Sequence, residues 1–277
     1  MTSRPARPGP PVVLTIAGSD SSGGAGVQAD LKTFAALGVY GASAFAALTA
    51  QNTTGVRGVH VVPVDFVVAQ IEAVLEDLQV AAVKTGMLAT AEIVEAVATL
   101  AAAGRLPNLV VDPVMVSSTG ARLLDEHAEA AYLTRLLPHA RVVTPNIAEA
   151  RVLTGGELST LAEMREAARD LHASGCEAVV VKGGHATAGS GREAVDVWFD
   201  GQELHELRAP RVDTANNHGT GCSFASAVAA HLALGSDLPD ALAGAKRYVT
   251  RALAGGSRWR LGAGHGPLDH FLWEERA

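Results

Sequence analysis

The sequence has few cysteines, no excess of basic residues and no long apolar run. Its 277 residues include only two cysteines, Cys176 and Cys222, too few for a disulfide framework, so a reducing cytoplasm is the expected compartment. Lysine and arginine number 22 against 29 aspartates and glutamates, for a net charge of -7. This balance argues against a nucleic-acid or anionic-membrane binder. No apolar stretch reaches the roughly 18 residues of a membrane span, so no membrane partner is expected.

Familiar nucleotide and metal motifs are incomplete. Gly18 and Gly23 have the spacing of P-loop glycines, but Gly24 stands where that motif needs a lysine. The glycines of segment 24–29 imitate a dinucleotide-binding turn, yet no Asp or Glu occurs between residues 31 and 64 to bind the ribose hydroxyls. Neither an H-E-x-x-H motif nor a paired C-x-x-C motif is present. A dehydrogenase and a zinc enzyme are therefore disfavoured.

What the sequence does contain is an alternation of short apolar strands with amphipathic helices. The predicted strands cover residues 12–17, 43–48, 81–84, 109–112, 141–144 and 178–182, with a hairpin at 195–199 and 203–207. The predicted helices cover residues 27–37, 64–78, 91–103, 126–137, 161–174 and 238–254, with a short closing helix after Pro267. This spacing indicates an α/β fold with a mostly parallel central sheet and helices on both faces. We expect residues 1–10 to form a flexible tail and residues 11–277 a single domain.

A candidate anion site lies in Asn216-Asn217-His218-Gly219-Thr220-Gly221-Cys222, which opens a further apolar helical run. A helix that begins on a Gly-rich turn directs unpaired backbone N–H groups and its positive dipole end at one point, which favours a phosphate. Cys222 lies at that helix start, where a thiol pKa is expected to fall, making it a candidate base. The same cysteine also suits a small buried core residue.

Polar residues follow most of the predicted strands, where ligands bind in open parallel sheets. Among them, Asp112, Asn146 and Glu149 carry oxygen ligands of the kind that hold Mg²⁺ and its waters. Alternatively, Asn146 caps a helix and Glu149 is a solvated helix residue. Lys182 ends an apolar run and has a compact charge suited to a nucleotide phosphate, although a lysine in that place often only meets water.

These motifs together resemble the ribokinase superfamily, and within it the hydroxymethylpyrimidine and phosphomethylpyrimidine kinases of thiamine biosynthesis. The resemblance extends from about residue 12 to residue 273. It is carried by AGSDSSGGAGVQAD (17–30), TAQNT (49–53), KTGML (84–88), DPVM (112–115), TPN (144–146), VKGGH (181–185) and HGTGC (218–222). It implies a ribokinase-like fold, ATP as co-substrate, Mg²⁺ as cofactor and a homodimer.

The resemblance also implies roles for individual residues. For the pyrimidine acceptor it implies contacts with Gly18, Asp30, Gln51, Met87 and Val114. For the nucleotide it implies contacts with Lys182, Asn146 and Thr220, and for Mg²⁺ and its surroundings Asp112 and Glu149. For catalysis it implies an anion hole from Gly219 through Thr220 and Gly221 to Cys222. Many relatives carry Asp where Cys222 stands, which favours a base there over a covalent nucleophile or a packing residue.

The expected activity is phosphorylation of 4-amino-5-hydroxymethyl-2-methylpyrimidine, and then of its monophosphate, by ATP and Mg²⁺. Phosphoryl transfer asks a protein mainly for positioning and charge neutralisation, which these residue types supply. Two alternatives remain open from the sequence. One is a pyridoxal kinase on the same fold, and the other is a nucleotide-binding regulatory module without catalysis.

Overall fold

The computed structural model describes residues 9–115, 128–184 and 191–273. Most of the predicted tail, residues 1–8, lies outside the described residues, as do the first two residues of the helix predicted at 126–137. Among the described residues, no helix is both long and apolar enough to cross a membrane.

A nine-stranded sheet forms the centre of the described structure, in the order β3-β2-β1-β4-β5-β6-β7-β8-β9. The strands are β1 (Val12–Gly18), β2 (Tyr40–Asn52), β3 (Gly55–Val61), β4 (Val80–Thr85), β5 (Val110–Val111), β6 (Val142–Val143), β7 (Val179–Val181), β8 (Glu193–Phe199) and β9 (Leu204–Pro210). Neighbouring strands from β2 to β7 pair in parallel, whereas β3, β8 and β9 pair antiparallel to their neighbours. The mostly parallel sheet with an added hairpin is therefore confirmed.

Helices cover both faces of this sheet. They are α1 (Gly26–Ala36), α2 (Val64–Asp77), α3 (Ala91–Ala102), α4 (Ala128–Ala131), α5 (Ile147–Thr154), α6 (Leu161–His172), α7 (Thr220–Ala233) and α8 (Leu238–Gly256). Alternate strand residues point to opposite faces. Accordingly, Val13 packs in a core with Phe34 of α1 and Val228 of α7, while Leu14 packs in a second core with Ile71 of α2. The two apolar cores hold the sheet between its helical layers.

Three local predictions were wrong or incomplete. The edge strand β3 was not predicted, because its pattern of exposed residues lacks a buried face. The helix predicted at 126–137 is regular only over α4 and continues as a wider π-helical turn at Tyr132–Leu136 and a tight turn at Leu137–His139. From residue 267 to residue 272 the chain forms turns and a bridge to His218, and a helical turn begins only at Trp273; the rest of the predicted closing helix lies outside the described residues.

Candidate functional site

The carboxyl ends of the central strands meet the start of α7. Lys182 follows β7 and Asp112 follows β5, and Lys182 Nζ lies 2.8 Å from Asp112 Oδ1. The side chains are 12% and 2% exposed, respectively. A Cβ atom on Gly221 would lie 3.1 Å from Lys182 Nζ and 3.9 Å from Asp112 Oδ2. The glycine thus lets the first turn of α7 approach this ion pair directly.

The start of α7 is held by a tight turn. Gly219 has a φ of 85°, and a Cβ atom there would overlap the carbonyl oxygen of Gly24, so only glycine fits without strain. The Thr220 hydroxyl donates a 2.6 Å hydrogen bond to the carbonyl oxygen of Asn217. No side chain caps the helix start. The Thr220 N–H donates a 3.2 Å hydrogen bond to the Asn217 carbonyl oxygen. An anion at this helix start would therefore meet the N–H groups that follow Thr220, and the anion hole stays a prediction.

Asn146 and Glu149 form a capping box at the start of α5. The Asn146 side chain accepts a 2.9 Å hydrogen bond from the Glu149 N–H, and Glu149 Oε2 accepts a 2.8 Å bond from the Asn146 N–H. Glu149 is 4% exposed. Its burial, with a smaller contribution from nearby Asp112, raises its carboxyl pKa to about 8 against the opposing effect of Lys182. The solvated-helix alternative for Glu149 is therefore wrong, whereas the capping alternative for Asn146 is confirmed.

Asp112 and Glu149 can supply only part of a Mg²⁺ coordination shell. Mg²⁺ keeps several waters and is usually bound by one or two carboxylates together with substrate phosphates. Asp112 and Glu149 are close enough for the charge of one to raise the pKa of the other. Within residues 9–115, 128–184 and 191–273, no three His, Cys, Asp or Glu side chains group as a metal site. The pair therefore suits an ion that arrives with phosphates rather than one held by the protein alone.

Three of the predicted acceptor residues lie together near the end of β1. A Cβ atom on Gly18 would overlap the terminal methyl group of Met87, so these residues are in close contact. Met87 belongs to a small buried apolar cluster with Ala47 and Ala89, against which Val114 packs. Gln51 lies on β2, two residues beyond Thr49, and its Nε2 is 3.3 Å from His218 Nε2. Gly18, Met87 and Val114 thus form an apolar wall, and Gln51 adds an amide on the neighbouring strand β2.

Asp30 is placed differently from its neighbours in that predicted set. Its side chain is fully buried, and Lys84 Nζ lies 2.9 Å from both carboxylate oxygens. The hydroxyls of Thr15 and Ser226 donate bonds of 2.6 and 2.7 Å to the same carboxylate. A carboxylate accepts about four hydrogen bonds, and protein donors supply all four. Direct contact between Asp30 and an acceptor stays a prediction that requires one of these bonds to be exchanged.

Cys222 lies in the first turn of α7, as predicted, but its thiol pKa shifts in the opposite direction to that expected. Burial raises the pKa of this thiol to about 11, and Lys84 is the main influence that lowers it. Asp112 and Asp30 add to the rise. The helix start alone therefore does not make a thiolate at neutral pH. The expectation was wrong because it weighed the helix dipole and left out the loss of water around the sulfur.

Sequence reasoning assigned no role to Asp20, His218 or Lys84. Asp20 accepts hydrogen bonds from the N–H groups of Ser22, Gly24 and Ala25, and its Oδ2 lies 2.8 Å from His218 Nε2. Burial raises the Asp20 pKa, but the bonds with His218 and Ser22 outweigh it and lower the pKa to about 2. Asp20 thus ties the loop after β1 to the segment before α7. The signal was its position at a strand end within a glycine-rich loop.

The fold and this site define a class, namely a small-molecule kinase with a ribokinase-like fold. The sequence profile of the phosphomethylpyrimidine kinase family matches residues 20–269. The chain belongs to that family, whose members are phosphotransferases that use ATP as co-substrate.

Individual relatives agree with this assignment. The chain is 51% identical to the hydroxymethylpyrimidine/phosphomethylpyrimidine kinase of Streptomyces coelicolor, over 94% of each protein. It is 52% identical to the thiamine biosynthesis bifunctional protein ThiED of Geobacter sulfurreducens, over 95% of this chain and 53% of that protein. The chain thus spans about half the length of this bifunctional relative. The solved structure of Staphylococcus aureus pyridoxal kinase in complex with pyridoxal superposes with a TM-score of 0.87 at 38% identity, covering 96% of this chain and 95% of that one.

Proposed function

We propose that this protein transfers the γ-phosphoryl group of ATP to the hydroxymethyl group of 4-amino-5-hydroxymethyl-2-methylpyrimidine, and then phosphorylates the resulting monophosphate, in thiamine biosynthesis. The observation that carries the proposal is the uncapped first turn of α7 beside the Lys182–Asp112 pair. An anion hole and a fixed cation at one point are what transfer of a phosphoryl group requires. Relatives about 50% identical, named as kinases of this pyrimidine, support the choice of acceptor.

On the nucleotide side, we assign the phosphates to Lys182, Thr220 and the first N–H groups of α7. The ammonium of Lys182 is held by Asp112. Burial lowers the Lys182 pKa, but Asp112, Glu149 and Cys222 together outweigh it and raise the pKa. Lys182 is therefore a permanent cation at the strand ends. Asn146 fixes the start of α5 beside it. Asp112 and Glu149 would hold Mg²⁺, which when bound neutralises charge on the phosphates.

On the acceptor side, we assign the pyrimidine ring to the apolar wall of Gly18, Met87 and Val114 and to the amide of Gln51. A thioether is a polarizable contact for a flat ring, and an amide can both donate to and accept from its nitrogen edge. Cys222 then acts as the base. The acceptor O–H proton passes to the deprotonated sulfur, the acceptor oxygen bonds to the γ-phosphorus, and the bond to the β-phosphate oxygen breaks to release ADP.

Acceptor-dependent ADP release across a panel of vitamin precursors tests this function. Hydroxymethylpyrimidine and its monophosphate should both be turned over with Mg²⁺ and ATP, and pyridoxal should be turned over more slowly. Equal or faster turnover of pyridoxal would replace the assignment with a pyridoxal kinase. An absence of acceptor-dependent ADP release would favour a regulatory nucleotide-binding module.

We also propose a homodimer in the cytoplasm. The edge strand β3 presents the apolar side chains of Val59 and Val61, 44% and 38% exposed, on one face of the sheet. Leu48 of β2 and Phe66 of α2 are also exposed near this edge, at 46% and 61%. Exposed apolar side chains of this kind indicate a candidate interface. Light scattering of the purified protein should give twice the mass of one chain, and Val59→Lys should shift it towards the monomer. A monomer at micromolar concentration would contradict this proposal without touching the kinase assignment.

A further inference from the structure

Lys84, near the end of β4, is a buried charge that the proposed reaction leaves without a role. Its side chain is 0% exposed, and so is that of Asp30, its partner. Burial lowers the Lys84 pKa, but the charges of Asp30, Cys222 and Asp112 and the hydrogen bonds to Asp30 together outweigh it and raise the pKa above its usual value. The lysine is therefore charged at every working pH. A buried ion pair is often no more stabilising than well-packed apolar residues of similar size, so stability does not explain it.

The pair lies under the first turns of α7. The Ser226 hydroxyl donates to Asp30 Oδ1 at 2.7 Å. Ser226 is four residues after Cys222, which places the two side chains on the same face of the helix. Asp30 is fixed from the other side by the Thr15 hydroxyl of β1. The Lys84–Asp30 pair is therefore tied to the face of α7 that carries Cys222.

The ammonium of Lys84 also lies close to Gly86, next to the acceptor wall in sequence. Two of its three N–H donors bond the two oxygens of Asp30. A Cβ atom on Gly86 would lie only 2.9 Å from Lys84 Nζ, so the absence of a side chain at this residue admits the charge. Gly86 is directly followed by Met87 of the acceptor wall. The positive end of the pair therefore lies against the segment that carries Met87.

Four charged groups interact electrostatically with the Cys222 sulfur. Three of them shift its pKa, namely Lys84 from β4, Asp30 from α1 and Asp112 after β5. The fourth is Lys182 after β7, whose own pKa is raised by the charge of Cys222. Among those that shift its pKa, Lys84 is the largest stabiliser of the thiolate, and the two aspartates oppose it. The charge of Cys222 in turn raises the Lys84 pKa, which shows the same coupling from the other partner.

We propose that Lys84 is a positioning residue that, through its bonds with Asp30 and α7, holds Cys222 in place and stabilises its thiolate form for the transfer of the acceptor's proton. This inference rests on the proposed function only in the identity of the group that gives its proton to Cys222. The state of the sulfur can be measured without any turnover.

The test is alkylation of Cys222 in the full-length folded protein by iodoacetamide between pH 7 and pH 10, with digestion and peptide mass spectrometry to follow Cys222 and Cys176 separately. In Lys84→Met the second-order rate at pH 8 should fall about tenfold, corresponding to a rise of about one unit in the thiol pKa. Because Lys84→Met leaves Asp30 without its cation, the double variant Lys84→Met with Asp30→Asn is measured as well. Its alkylation rate at pH 8 should fall several-fold relative to the wild type. Circular dichroism confirms that each variant is folded.

Two controls separate this effect from general loosening of the structure. Lys246→Met removes a lysine of α8 that lies 2.7 Å from Asp196 and is not among the main charges that shift the Cys222 pKa, so it should leave the Cys222 alkylation profile unchanged. Cys176, which is buried elsewhere, should react at the same rate in all variants. Faster reaction of Cys176 together with Cys222 would show loosening and overturn the proposal for that variant.

Unchanged alkylation of Cys222 in a folded Lys84→Met protein overturns the role of Lys84. Acceptor-dependent ADP release by the unmodified enzyme is measured separately. If that activity is absent while the alkylation profile shifts as expected, the proposed function fails and the role of Lys84 stands. If both hold, Lys84→Met should lower kcat while the KM for ATP stays within a few-fold.

Discussion

The pH dependence of turnover is a sensitive test of Cys222 as the base. With a thiol pKa of about 11, the thiolate makes up about 10⁻⁴ of the free enzyme at pH 7 and about 10⁻² at pH 9, so kcat/KM for the acceptor should rise about 100-fold over this interval. The assay is acceptor-dependent ADP release at saturating Mg²⁺ and ATP. In Cys222→Asp the rise should vanish, because an aspartate is already ionised at pH 7.

A second ionisation must be separated from that of the thiol. Glu149 has a raised pKa of about 8, so it loses its proton as the pH rises through 8, and its contribution to Mg²⁺ binding then becomes constant. A slope that continues from pH 9 to pH 10 therefore belongs to Cys222. Cys222→Ala should lack that slope and lose on the order of 10²- to 10⁴-fold in turnover. A flat profile above pH 9 in folded wild-type enzyme would refute Cys222 as a base with this pKa.

Three further outcomes are expected. Gln51→Ala and Met87→Ala should raise the KM for the pyrimidine and leave ATP affinity within a few-fold; equal losses in steady-state kinetics would contradict the assignment of the acceptor side. Glu149→Ala should lower turnover in a way that excess Mg²⁺ partly restores, and a Mg²⁺ titration that shows no recovery would leave Glu149 with its capping role alone. Gly219→Ala should lower Tm by more than about 5 °C, because its Cβ would overlap a backbone oxygen and its φ is positive. Gly235→Ala has a similar positive φ but open space around it, so it should lower the free energy of unfolding by only about 1 kcal/mol and Tm by less than Gly219→Ala.

The pattern of apolar residues predicted most of the fold, because this pattern follows from which side chains are buried. The strands at 12–17, 81–84 and 178–182 were located to within about three residues, since each is a short apolar run covered on both faces. The edge strand β3 escaped because pairing with β2, rather than its own apolar pattern, makes it a strand. The π-helical turn at Tyr132–Leu136 escaped because its side chains follow a helical pattern while its backbone hydrogen bonds do not.

The site was predicted unevenly for a different physical reason. Glycines at a helix start and a lysine after a strand indicate a location, and the structure places Gly221 against Lys182. Charge states depend on neighbours that are distant in sequence. Lys84 acts on Cys222 from 138 positions away, a separation no local pattern reveals. The protonation of Cys222 and Glu149 was therefore beyond prediction from the sequence.

The capping and metal roles of Glu149, treated as alternatives in the sequence, are compatible in the structure. The carboxylate accepts from the backbone of Asn146 and of Met115, which leaves about two of its four acceptor positions unused. The capping bond fixes the direction of the group, since Oε2 is held by the helix start. Burial beside Asp112 meanwhile favours a proton on the carboxyl group at neutral pH. A divalent cation arriving with the nucleotide phosphates would take the place of that proton, so metal binding at this residue should release a proton below about pH 8.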